Sequence, residues 1–378
     1  MRNSKLFDDR PINTGRQIEF DIAKTGMLVE LIFCHCFIEC SSVERLAHGL
    51  PFIMDAVIGG PIGAPGFMAA MGLGMVYTRH NTPKDHAKRG IRLIIMSFAL
   101  NICRYTIPYL IGYGITGNSE HYLSDIVYLT LENDIFMFAG LSFLLMALLI
   151  KLRVPDPGMV AIALAMSGLA DIFNDMDLHN TPLNVVVGFF FGVHDQADKV
   201  RSYFTLFNWF LIPVFGYVYG QYYRRLKDKK RFHLMLGVPS VIFTVAFLAY
   251  RITTGTGTFA EGGSFLGDEM TYYHITTPDL ICCVTGVISR FAICYLISLI
   301  VTEPVKRFSI EQSRNVTVIY CIQWVLISLS VGLVLFIATG TQELSDGKII
   351  LLSSGITVAS MALAHYYNKF RLRHRSES

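Results

Sequence analysis

The sequence predicts an all-α polytopic membrane protein with about ten transmembrane helices, one further re-entrant or interfacial segment, and both termini cytoplasmic. Three observations carry that prediction. Of 378 residues, 52% are hydrophobic and only 16% are charged, against about 25% in a typical soluble domain. The mean hydropathy is +0.45. The basic residues gather beside alternate hydrophobic segments, which is a topology signal. A net charge of +3 is too small to argue for nucleic acid. The length suits one domain, 1–378, with a polar N-terminal segment (1–19) and a basic tail (369–378).

A spanning helix needs about 20 apolar residues. Such stretches lie near 20–41, 51–78, 91–112, 133–151, 158–174, 202–223, 233–252, 277–301, 316–338 and 348–368. The segment before Phe20 carries no small-residue cleavage site, so the first stretch reads as a helix and not as a removed signal peptide. Basic clusters follow the even-numbered spans: Arg79 to Arg92, Lys151 and Arg153, Arg224 to Arg231, Lys306 to Arg314, and Lys369 to Arg375. The positive-inside rule places them, with Arg10 and Arg16, in the cytoplasm. The acids Glu120, Asp125, Asp175, Asp177, Glu261, Asp268, Glu269 and Glu343 then fall outside. The apolar piece 183–193 is too short to cross, and a crossing would reverse every later cluster. It is expected to be re-entrant or interfacial on the outer side.

All eight cysteines fall inside hydrophobic segments, so no disulfide framework is implied. Cys34, His35 and Cys36 are neighbours that point about 100° apart on a helix, a poor ligand set, and no metal is expected.

The first span carries the chemistry-bearing signal. Relative to Asp21, an ideal helix puts Lys24 near about −60°, His35 near about −40° and Glu39 near about 0°. One face therefore holds an acid and a base at its inner end and His35 with Glu39 roughly 20 Å further out. Ionisable groups in a bilayer mark functional sites by default. One reading makes His35 a general base oriented by Glu39; the other makes it a structural histidine bonded to a neighbouring helix. Glu30 lies on another face and is expected to meet a cation.

Arg104 and Arg290 lie deep in spans and need partners or water. Each either holds a phosphate or polarises a carbonyl, or else pairs with Glu30, Asp55 or Asp134. The run Gly59 to Gly66, with Pro61 and Pro65, is expected to break or kink the second span. Asp134 stands where a helix N-cap belongs and also near the outer half. The outer stretch Asn174 to Arg201, with Asp175, Asp177, His179, His194, Asp195 and Asp198, is either an acceptor wall or a solvated loop.

Arg16-Gln17-Ile18-Glu19-Phe20-Asp21-Ile22-Ala23-Lys24, followed by His35, resembles the opening of the transmembrane acyltransferase superfamily. That superfamily includes the acyltransferase-3 proteins and the heparan-α-glucosaminide N-acetyltransferases. Lys24 stands where arginine is more usual. Gly60-Pro61-Ile62-Gly63-Ala64-Pro65-Gly66-Phe67-Met68 resembles the second-helix segment, Lys88-Arg89-Gly90-Ile91-Arg92 the basic start of the third helix, and Tyr203 to Gly220 an aromatic-rich later helix. The second and fourth spans are closer to the heparan-type branch, in which the catalytic histidine falls after the first helix. That leaves His35 and His48 as alternatives.

The resemblance implies an acyl-CoA-dependent enzyme that takes acetyl-CoA from the cytoplasm and acylates an extracytoplasmic carbohydrate. It implies residence in a bacterial plasma membrane among lipids, with a homo-oligomer left open. It implies that Arg16, Asp21, Lys24, Lys88, Arg89 and Arg92 serve the CoA, that His35, Glu39 and Arg104 serve catalysis, and that Asp55, Asp134, Arg290 and His48 support the acceptor. The rival from another class is a secondary transporter using His35 and buried carboxylates as a proton relay; it needs no CoA. A glycan-binding scaffold leaves the aligned face unexplained.

Overall fold

The computed structural model describes residues 6–197, 199–257 and 272–376, with the backbone alone for Val43 and 372–376. The expected outer acids Asp198, Glu261, Asp268 and Glu269 lie outside the described residues, as do the side chains of Arg373 and Arg375. Among the described residues all regular structure is helical, with three isolated β-bridges.

The long rods, in order, are α1 (Ile18–Cys40), α2 (Gly49–Tyr77), α3 (Pro83–Thr116), α4 (Ile135–Lys151) and α5 (Asp156–Phe173). After the short α6 (Thr181–Val187) come α7 (Leu211–Tyr223), α8 (Lys229–Thr254), α9 (Thr277–Ser298), α10 (Glu303–Thr339) and α11 (Asp346–Ser376). Local signals set several starts. Thr82 caps α3 ahead of Pro83, Asp134 caps α4, and Asn180 caps α6. The left-handed Gly255 ends α8.

Among the described residues seven helices are long and apolar enough to cross a membrane: α2, α3, α5, α8, α9, α10 and α11, the last over Asp346–Arg371. The expected spans 20–41, 133–151 and 202–223 fall on helices outside that set. α4 has 17 residues and α7 has 13. α1 carries Glu19, Asp21, Lys24, Glu30 and Glu39. More than half the residues of each of these three are buried against other helices. A helix wrapped by protein tolerates polar groups and shorter apolar runs that a lipid-facing helix does not. The piece 183–193 forms only the seven-residue α6 and a following turn.

The expected break at Gly59 to Gly66 takes another form. α2 stays continuous, with a π-helical stretch over Ile53–Gly63 that contains Pro61. Proline lacks the N–H of the α ladder and crowds the carbonyl four residues back; the wider π register accommodates both defects. Among the described residues two more π stretches occur, Ile102–Thr106 in α3 and Ser328–Leu335 in α10.

The rods pair as α2 with α7, α3 with α4, α8 with α9, and α1 with α10. Small residues set the closest crossings. A Cβ on Gly72 would stand 1.9 Å from the Pro213 carbonyl oxygen, and one on Gly216 would stand 2.0 Å from that of Ala69. Gly90 and Gly140 approach each other's carbonyls equally directly, at 2.7 and 2.8 Å. Gly72→Ala is therefore expected to force α2 from α7 and destabilise by about 1–3 kcal/mol. Gly74→Ala, two residues on with nothing within 4 Å, is the control. Thermal unfolding in detergent checks this; equal midpoints for the two variants would refute the close-crossing account.

Candidate functional site

Three cavities line up along α1. The inner one, about 230 Å³, is walled by Lys24, Arg89 and Arg314 and by an apolar sleeve of Phe67, Met68, Phe136 and Phe143. The central one, about 110 Å³, contains Cys34, His35, Asp55, Arg104, Asp134, Tyr320 and Trp324. The outer one, about 560 Å³, is walled by Glu39, Tyr109, His121, Arg201 and Glu343. Leu31 and Tyr320 line both the inner and central cavities. Ile38, Glu39 and Tyr203 line both the central and outer ones. The three therefore share walls in series.

His35 is half-buried because it borders the central cavity. Its ring stacks on the Trp324 indole at 4.2 Å between centroids. Its Nδ1 lies 2.9 Å from the Gln323 side-chain nitrogen and 3.4 Å from the amide oxygen. The expected orienting group was Glu39. Instead the ring is held by Gln323 across the α1–α10 seam, and Glu39 sits one turn on where the central and outer cavities meet. Glu39 shares the central cavity with Arg104 and the outer one with Arg201.

Arg104 occupies the π stretch of α3 and is 4% exposed. Its Nη2 donates to Glu132 Oε1 at 2.6 Å and to the Tyr105 hydroxyl, and its Nη1 donates to Asp134 Oδ2 at 3.2 Å. The guanidinium also lies 4.3 Å from the Trp324 ring centre. Arg104 and His35 thus rest on the same indole. Asp134 caps α4, accepting the Ile135 N–H at 2.6 Å, and accepts the Tyr320 hydroxyl at 3.1 Å. Asp55, on the π stretch of α2, borders the cavity with no ion-pair partner among the described residues.

Other expected site residues fall elsewhere. Arg290 pairs with Glu30, with one bond of 2.9 Å, and ties α9 to α1 away from the cavities. That is the pairing expected of Glu30. His48 is exposed ahead of Gly49 and lines none of the three cavities. Arg16 and Asp21 form a two-bond ion pair of 2.6 and 2.8 Å, and Ser313 of α10 donates to the same carboxylate at 2.6 Å. Lys24 and Arg89 line the inner cavity, whereas Lys88 and Arg92, exposed on α3 as Arg89 is, do not line it. Arg89 lies over the Phe143 ring at 4.6 Å.

Several participants were not singled out from the sequence: Tyr320, Gln323, Trp324, Glu132, Arg314, and the aromatics Tyr203, Tyr272 and Tyr273. A glutamine amid the apolar run 316–338, three residues after a tyrosine and next to a tryptophan, is the signal that points to the first three.

Breaking a buried pair by removing one partner is expected to cost about 3–5 kcal/mol, because the other charge is stranded. Arg104→Ala strands two carboxylates and should lower the unfolding midpoint sharply. Adding Glu132→Gln to it should recover part of the loss. Strict additivity of the two single effects would contradict a shared network.

A family model described as heparan-alpha-glucosaminide N-acetyltransferase, catalytic, matches residues 16–251. That range contains α1 to α7 and most of α8, with His35, Arg104 and the acids that hold it. Comparisons with curated proteins and with solved structures returned no match. The chain is an integral membrane protein that belongs to the heparan-α-glucosaminide N-acetyltransferase catalytic family, a family of transmembrane acetyltransferases.

Proposed function

We propose that the protein moves an acetyl or short acyl group from acyl-CoA at the inner cavity to a carbohydrate hydroxyl or amine at the outer cavity, with His35 as the base between them. One observation carries this reading: a basic mouth, a histidine-bearing chamber and a polar vestibule share walls in that order along one helix.

The donor fits the inner half chemically. Lys24, Arg89 and Arg314 suit the phosphates of CoA. The apolar sleeve suits the pantetheine arm and keeps water from the thioester. Lys24 and His35 are eleven residues apart, or about 16 Å along the helix, a distance for an extended arm to cover. The acceptor oxygen or nitrogen attacks the thioester carbonyl while His35 takes its proton. The carbon–sulfur bond breaks, and the imidazolium returns the proton to the departing thiolate. The products are the acylated sugar and free CoA.

Gln323 sets which ring nitrogen works. When its amide oxygen faces Nδ1, that nitrogen carries the hydrogen and Nε2 is left to accept a proton. The opposite amide orientation leaves Nε2 protonated. Arg104, committed to Glu132 and Asp134, fixes the indole on which the ring stacks. His35 rather than His48 is the base in this reading because it borders the chamber. The transporter alternative leaves the basic mouth and the enzyme family without a purpose.

His35→Ala is expected to reduce acetyl transfer from labelled acetyl-CoA to an amino or neutral sugar by about 10²–10⁴-fold, with the protein still folded at the assay temperature. Arg89→Ala and Arg314→Ala should raise the KM for acetyl-CoA and spare kcat. Full activity in His35→Ala would overturn the assignment.

A further inference from the structure

Ser202, His274 and Asp175 lie in one hydrogen-bonded line outside the site described above. Ser202 Oγ is 2.8 Å from His274 Nε2, and His274 Nδ1 is 2.6 Å from Asp175 Oδ1. A neutral ring satisfies both contacts in one way only: Nδ1–H donates to Asp175 and the serine hydroxyl donates to Nε2. Ser202 Oγ also accepts the Val193 N–H at 2.9 Å. The imidazole beside Asp175 holds its carboxyl below the usual carboxylate range.

The arrangement is that of a hydrolytic triad, but its setting is not. Ser202 is fully buried, and His274 is 4% exposed. Neither borders any of the three cavities. A nucleophile must reach its substrate, and this hydroxyl is enclosed.

The chain neighbours of the trio do border a cavity. Tyr203 follows Ser202, and Tyr272 and Tyr273 precede His274; all three tyrosines wall the central chamber. The Tyr203 and Tyr273 rings meet edge to face at 4.4 Å. Other bonds tie the second segment to helices: the Trp209 indole donates to the Tyr273 carbonyl at 2.8 Å, and the Tyr272 hydroxyl donates to that of Gly60 at 2.8 Å. The bond between Ser202 and His274 ties the two wall segments to each other, and Asp175 anchors the ring from the far side.

We propose that Asp175, His274 and Ser202 form a clasp that holds the aromatic wall of the central chamber shut, making them positioning residues for the acceptor. The second half rests on the acyltransfer reading; the clasp itself does not.

Cys34 reports on the wall, since it lines the chamber with its thiol 2.7 Å from the Met54 carbonyl. Cys103 is exposed and serves as the reference. The experiment follows modification of each by N-ethylmaleimide, a small neutral reagent that enters detergent as well as water, in detergent-solubilised protein, by mass spectrometry. Asp175 has φ 61°, so Asp175→Gly removes the carboxylate without backbone strain. Asp175→Asn keeps an oxygen that accepts the Nδ1–H. Asp175→Gly and Ser202→Ala should each speed Cys34 relative to Cys103 by about tenfold, the change in an opening equilibrium produced by one buried hydrogen bond. Asp175→Asn should keep the wild-type ratio. If Ser202→Ala fails to fold, the glycine–asparagine pair decides alone. Wild-type ratios in Asp175→Gly, or equal acceleration in Asp175→Asn, would overturn the clasp. Labelling needs no acyl donor, so this result is independent of whether the protein transfers acetyl groups.

Discussion

A carboxylate, ammonium or imidazole is costly inside a bilayer unless another group or water meets it, and α1 carries six of them. Four are met by neighbours. Glu19 accepts from Lys229 at 2.7 Å and from Tyr223, Asp21 is held by Arg16 and Ser313, Glu30 by Arg290, and His35 by Gln323. Those partners lie in the N-terminal segment, α7, α8, α9 and α10. Satisfying α1 therefore fixes much of the bundle around it. Lys24 and Glu39 have no ion-pair partner among the described residues, and they stand in the inner and outer cavities. The two charges left over after assembly stand at opposite ends of the row of cavities.

The π stretches belong to the same design. A wide turn shifts side chains from the face an α-helix would present, and such turns recur at functional sites. That of α2 carries Asp55, Gly59 and Gly60 to the chamber, and that of α3 carries Arg104 and Tyr105. Trp324 then joins the ion cluster to the histidine, with Arg104 and His35 on one indole. The chamber is shaped by a buried charge network, so variants there must be read for stability as well as for activity.

The rods were legible from runs of Leu, Ile and Val, because lipid demands them of any helix it touches. The His35 face was legible because one helix carries all of it. What stayed hidden depends on distance in sequence: Gln323 lies 288 positions from His35, and nothing local announces that pairing. The basic cluster at 88–92 was read as one patch. On a helix Arg89 is turned about 100° from Lys88 and about 60° from Arg92, so only one of the three reaches the inner cavity. Arg290 looked like Arg104 in the sequence, yet Glu30 claims it on a face away from the path. Asp175, His274 and Ser202 come from separate connections between helices, where periodicity carries no information.

The central claim is that one path joins a donor on the basic face to an acceptor on the opposite face. Sealed vesicles of known orientation test it directly, with labelled acetyl-CoA supplied on the face of Lys24, Arg89 and Arg314 and a sugar enclosed on the other side. The path predicts labelled sugar inside while the acetyl-CoA pool stays outside. Transfer that occurs only when donor and sugar share one compartment would contradict it.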